Sequence, residues 1–94
     1  MNNRATKEAI AALCDLWGMT VHFETTRGNH TRVTMRTRKL AEPAQAVMYI
    51  AGTPSDWRAV HNNLSTARRL LRALATAGPG ERVKAGPHFM MPRA

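Results

Sequence analysis

The feature that most limits how this chain can fold is a helix with one apolar and one arginine-rich side, predicted over residues 52 to 74. Thr53 supplies an N-cap hydroxyl, Pro54 fits the first helical position, and Asp56 is an acid three residues after the cap. Apolar side chains then recur at steps of three and four, so this side must pack against another element. The apolar stripe consists of Trp57, Val60, Leu64, Ala67, Leu71 and Leu74.

The residues before this helix predict a second helix and three strands. Helical spacing of apolar residues runs from about residue 4 to residue 17. Alternation of apolar and polar side chains over 20–25 and 30–38 predicts two strands of a β-hairpin joined by a polar turn. The apolar run over 46–51 predicts a third strand.

Together these elements predict a two-layer α+β domain with the order helix, three strands, helix. We expect a three-stranded antiparallel sheet covered on one face by the two helices, within a single domain over residues 1–76. Residues 77–94 hold several glycines and prolines and predict a flexible tail, with docking of Phe89 and its neighbours on a partner as the alternative. The predicted core is Leu13, Trp17, Val21, Phe23, Val33, Met35, Leu64 and Leu71. The predicted outer face of the sheet carries His22, Glu24, His30, Arg32, Arg36 and Arg38.

The charge balance predicts a polyanionic partner. The chain has 14 lysines and arginines against 6 acids, a net charge of +8, and arginine predominates among the cations. Arginine favours bidentate contact with phosphate or carboxylate. RNA or another nucleic acid is the first expectation, and an acidic surface of a host protein is the alternative. The expected contact residues are Arg27, Arg32, Arg36, Arg38, Arg58, Arg68, Arg69 and Arg72. A monomer and a homodimer both remain open.

Neither a metal site nor a cofactor is expected from the sequence. Cys14 is the only cysteine, which excludes an intramolecular disulfide, and the four histidines match no zinc spacing. The sequence contains no apolar run of signal-peptide or transmembrane length. We therefore expect a cytoplasmic protein that does not bind a membrane.

His30 is the candidate catalytic residue. It follows the predicted hairpin turn beside Arg27 and shares a strand face with Arg32. An imidazole can move a proton near neutral pH while arginines hold a phosphate, and RNA supplies its own 2′-hydroxyl as nucleophile. Cleavage of RNA is one hypothesis. An ordinary solvated histidine on a strand is the other, so enzyme activity stays open.

The hairpin also carries a family resemblance. Gly28, Asn29 and His30 match the Gly, small residue, His signature of HicA-type small toxins of bacterial toxin–antitoxin pairs, and the following strand is similar over 31–37. The resemblance covers roughly residues 5 to 76. It implies a double-stranded-RNA-binding-like fold and ribonuclease activity on messenger RNA, with His30 as the catalytic residue. The run Thr53–Asp56 also resembles small phage-encoded proteins.

These observations predict a small basic protein that binds RNA or another polyanion. If it also cleaves RNA, it would be a HicA-like mRNA interferase. The alternative is a noncatalytic, phage-encoded inhibitor of the counter-defence type, which would use the same arginine-rich surface to bind a host protein.

Overall fold

The computed structural model describes residues 4–38, 41–50 and 57–84, and it confirms the α+β class. Both helices pack on the same face of one sheet, as predicted from their apolar stripes. The start signal at Thr53–Asp56 lies outside the described residues. The elements in chain order are α1 (Arg4–Leu16), β1 (Met19–Thr25), β2 (Thr31–Thr37), β3 (Gln45–Ile50), α2 (Trp57–Ala75) and β4 (Arg82–Lys84).

The sheet differs from the prediction by having a fourth strand. Strands β1, β2 and β3 pair antiparallel, as the alternating pattern predicted, and the strand order is β1-β2-β3-β4. Strand β4 pairs parallel to β3, with Gln45 opposite Arg82. Strand β4 lies in the segment that the sequence predicted as a tail. It was not predicted as a strand, because three residues are too few to show a period of two. Phe89 and the residues from 85 onward lie outside the described part of the chain.

The core lies between the sheet and the helices. Val33, Met35 and Leu71 are fully buried, as predicted, and the other buried side chains of the core come from both helices, from β1 and β3, and from Ala44 just before β3. Four of the predicted core residues, Leu13, Val21, Phe23 and Leu64, are half-buried and pack against this core. The fully or almost fully buried side chains include Ile10, Cys14, Met48, Ile50, Ala67, Leu70 and Leu74.

Trp17 is the exception among the predicted core residues, because 36% of it is exposed. Helix α1 ends at Leu16, and the chain turns at Trp17 and Gly18, where Gly18 has a φ of +73°. Trp17 therefore lies beyond the last residue of α1, so its spacing from Leu13 no longer places its side chain on the buried side of the helix. The side chain of Trp57 lies outside the described residues.

None of the helices in the described residues is long and apolar enough to cross a lipid bilayer.

Candidate functional site

The structure distributes the predicted site residues over four places. Arg32 and Arg36 lie on the face of the sheet that the helices leave open, as predicted. The arginines of α2 lie on the opposite side of the molecule, because α2 covers the other sheet face. Arg27 and His30 lie at the turn between β1 and β2, and Arg38 lies at the far end of β2. The predicted residues therefore form two surfaces and two isolated positions.

The first surface is the outer side of α2. Its arginines follow each other at helical spacing on the side opposite the buried Ala67 and Leu71, and all of them are exposed. Ser65 and three of these arginines line a shallow pocket on the C-terminal half of the helix. No acid occurs anywhere in the sequence of α2. We call this the α2 arginine surface, and it consists of Arg58, Ser65, Arg68, Arg69 and Arg72.

The second surface is the open face of the sheet, where a groove of about 590 Å³ crosses β1, β2 and β3. Strand pairing arranges the side chains of this open face in three cross-strand rows, which extend past the groove to Arg82 and Tyr49. One row runs from Thr20 through Arg36 and Gln45 to Arg82, the middle row holds His22, Thr34 and Val47, and the third holds Glu24, Arg32 and Tyr49. We call this surface the sheet groove, and its lining residues are Thr20, Val21, His22, Glu24, Arg32, Thr34, Arg36, Gln45 and Val47.

An ion pair fixes one end of the sheet groove. Nη2 of Arg32 donates to Oε1 of Glu24 at 2.6 Å. This hydrogen bond and the charge of Arg32 lower the pKa of the Glu24 carboxyl, and Glu24 in turn raises the pKa of Arg32. Tyr49 lies directly opposite Arg32 on the neighbouring strand. At neutral pH the third row therefore carries a closed ion pair beside an aromatic ring.

The other end of the groove carries two arginines. Nε of Arg36 donates to Oε1 of Gln45 at 3.2 Å, which leaves the terminal nitrogens of this guanidinium pointing away from that bond. Arg82 of β4 is directly opposite Gln45 and exposed. Sequence reasoning missed Arg82 as a site residue, since its strand was not predicted. Three residues are too few for a periodic signal, so no pattern in the sequence could have placed Arg82 on this face.

His30 lies outside the sheet groove. It precedes β2, its carbonyl oxygen accepts from the backbone N–H of Thr26 at 2.7 Å, and its ring lies against Gly28. Gly28 has a φ of +75°, and a Cβ built there would be 3.3 Å from Cδ2 of His30. Glycine at this turn thus makes room for the His30 ring. The histidine of the groove is His22, in the middle row.

Arg38 does not lie on the open face, and this expectation is wrong. Strand β2 ends at Thr37, so the alternation of faces stops there. Arg38 instead donates to the carbonyl oxygen of Met19 at 3.4 Å and approaches Oδ1 of Asp15 at 3.7 Å. It lines a pocket on the helix side together with Trp17.

Within the described residues, no three His, Cys, Asp or Glu side chains come close enough together to hold a metal ion. Burial raises the pKa of the Cys14 thiol to about 11. Cys14 therefore stays protonated at neutral pH and lacks the thiolate that a nucleophile needs.

Comparisons of this chain with protein-family models, with curated proteins and with solved structures find no match. Function is therefore inferred from the two surfaces themselves.

Proposed function

We propose that this chain is a small basic RNA-binding protein that holds the phosphate backbone on the α2 arginine surface. The observation that carries the proposal is the exposed arginine stripe on a helix without acids. The sequence of α2 contains no acid, so the charged side chains that the helix itself contributes to this surface are all positive.

The length of the stripe suits a nucleic-acid backbone. Fourteen residues separate Arg58 from Arg72, which is about 21 Å along a helix axis. Guanidinium groups bind phosphate oxygens bidentately, and each phosphate that they neutralise releases bound counterions. Such contacts fix affinity and position but read no base. The expected binding is therefore tight at low salt and insensitive to sequence.

Two other functions compete with this one and give different results. An inhibitor of the counter-defence type would place an acidic protein surface on the same arginines. A HicA-like mRNA interferase would bind RNA and also cut it, with His30 as acid or base and with Arg27 and Arg32 on the phosphate. Because His30 lies away from both surfaces, we treat cleavage as a separate hypothesis.

The test is an affinity purification of the tagged protein from bacterial lysate, with and without ribonuclease. We expect the wild type to retain RNA that ribonuclease removes. A variant with Arg68→Gln, Arg69→Gln and Arg72→Gln should lose most of this RNA, whereas Arg4→Gln on α1 serves as a charge control and should retain it. A stoichiometric protein that survives ribonuclease, with no RNA, would overturn the proposal in favour of the inhibitor.

A further inference from the structure

The proposed binding of phosphate by α2 does not involve the sheet groove, so the charged side chains of the groove need a separate explanation. No described helix or strand covers this face of the sheet. Glu24 is the one acid among its lining residues, and it is already paired with Arg32. Arg36 and Arg82 then leave the opposite end of the face positively charged. The groove is therefore electrostatically suited to an anion that runs along the strands toward Arg36 and Arg82.

Tyr49 is the second unusual feature of this face. It belongs to β3, beyond the three residues of this strand that pair with β4, and 58% of it is exposed. Its neighbours in sequence, Met48 and Ile50, point into the core and are almost fully buried. Arg32 lies directly opposite Tyr49 on β2, so a cationic side chain stands beside the ring. An exposed ring on the open face of a sheet is a suitable platform for stacking.

From these observations we infer that the sheet groove binds a single strand of RNA, with one base stacked on Tyr49. This inference rests on the proposed RNA-binding function and adds a second, separate surface to it. Aromatic rings stack on unpaired bases of any sequence, whereas the faces of bases in a duplex are covered by their neighbours. The exposed ring and the two arginines at the other end of the same face together match the stacking surface and charged groove that bind single-stranded nucleic acid.

The phosphates of the same strand have partners within reach. Four residues along β3 separate Tyr49 from Gln45, which corresponds to about 13 Å. Beside Gln45 lie Arg36 and Arg82, one on each neighbouring strand. A strand whose base stacks on Tyr49 crosses the middle row at Thr34 and Val47 and reaches both guanidinium groups with its backbone. Thr34 and His22 lie along this path and supply polar groups to the sugar and base edges.

The experiment uses a 12-nucleotide single-stranded RNA that contains one 2-aminopurine, and a 16-base-pair duplex RNA as the comparison. Stacking quenches the fluorescence of 2-aminopurine, so the signal reports contact of a base with a ring. We expect the wild type to quench the single-stranded probe. Tyr49→Leu should abolish the quench and weaken binding of the single strand about tenfold, while it leaves binding of the duplex unchanged.

Two further variants separate a role in binding from a role in folding. Tyr49→Phe keeps the ring and should keep both the quench and the affinity within about twofold, since stacking needs no hydroxyl. Arg36→Gln combined with Arg82→Gln should reduce the salt dependence of single-strand binding by about 1.4 units of log-log slope. Leu16→Ala changes a side chain that is 82% exposed on α1 and serves as the surface control.

The inference is overturned if Tyr49→Leu quenches the probe as strongly as the wild type does. It is also overturned if the quench is lost in the α2 triple variant but kept in Tyr49→Leu, because the strand would then lie on α2. Failure of the wild type to bind either RNA would overturn the proposed function itself. An acidic protein that protects Tyr49 and Arg36, with no RNA bound, would assign the groove to a protein partner.

Discussion

The α2 arginine surface and the sheet groove lie on opposite sides of the same small domain and are both rich in arginine, but their surroundings differ. On α2 the arginines follow a helical stripe with a serine between them and no acid along the helix. In the groove, Arg32 is paired with Glu24 and lies opposite Tyr49, and Arg36 is hydrogen-bonded to Gln45. Net charge alone does not distinguish the two surfaces, whereas the neighbours of each arginine do.

Under the RNA-binding proposal, this difference predicts separate roles for the two sides of the domain. A stripe of arginines without acids supplies attraction for any polyanion, and salt screens it strongly. Arginines held by side-chain partners beside an exposed ring are preorganised, and they lose less conformational freedom when a ligand binds. We therefore expect α2 to supply affinity and the sheet groove to distinguish single strands from duplexes.

The largest expected effect separates the two sides of α2. Leu71 is fully buried, so Leu71→Ala should lower the free energy of unfolding by about 2 to 5 kcal/mol. Arg72→Gln on the exposed side should change it by less than about 0.5 kcal/mol. Urea unfolding of both variants measures this. Equal losses would mean that the outer side of α2 is structural, and the division proposed here would fail.

A smaller effect concerns the ion pair of the sheet groove. Glu24→Gln removes the acid that offsets Arg32, so single-stranded RNA should bind roughly two- to fivefold tighter at low salt, and the gain should shrink as salt rises. Binding of duplex RNA should not change. Fluorescence anisotropy with both RNAs measures this, and weaker binding of the single strand would show that Glu24 itself contacts the ligand.

The same ion pair makes a prediction about pH. Arg32 lowers the pKa of Glu24, so the stabilisation by this pair is present above the usual glutamate pKa of 4.5 and is lost as pH falls through the lowered value. Between neutral pH and pH 5 the pair should stay closed. Carboxyl chemical shifts of Glu24 in an NMR titration follow it directly, and a midpoint at or above 4.5 would contradict the ion pair.

The smallest expected effect on binding comes from His30. His30→Ala should leave the affinity for both RNAs within about twofold of the wild type, because His30 lies outside both surfaces. If the protein cuts RNA as the HicA-type resemblance implies, the same variant should lose that activity. Denaturing gels of incubated RNA measure cleavage. Cutting at the wild-type rate by His30→Ala would remove His30 from the mechanism.

The sequence predicted those parts of the fold that repeat over many residues. The alternation around Val33 and Met35 placed β2 and its buried face correctly, and the spacing through Leu64, Ala67 and Leu71 placed α2. Predictions failed where an element ends. Trp17 and Arg38 each come directly after the last residue of their element. Extending the helix or strand pattern by one residue therefore predicted the wrong environment for each of them.

The candidate site was only partly predictable for a similar reason. Arg32 and Arg36 share a strand face, so their placement followed from a period of two. Arg82 reaches the same face through the pairing of β4 with β3, which depends on a contact between distant parts of the chain. The hydrogen bond from Arg36 to Gln45 likewise depends on side-chain geometry that cannot be read from the order of residues. The same holds for the position of the His30 ring against Gly28.

The most direct test of the RNA-binding proposal is the salt dependence of duplex RNA binding by the purified protein. For four phosphate contacts on α2, the slope of log affinity against log salt should be about −3 to −4. The Arg68→Gln, Arg69→Gln and Arg72→Gln variant should bring it to about −1, and Tyr49→Leu should leave it unchanged. A triple variant that keeps the wild-type affinity and slope would contradict the assignment of RNA binding to α2.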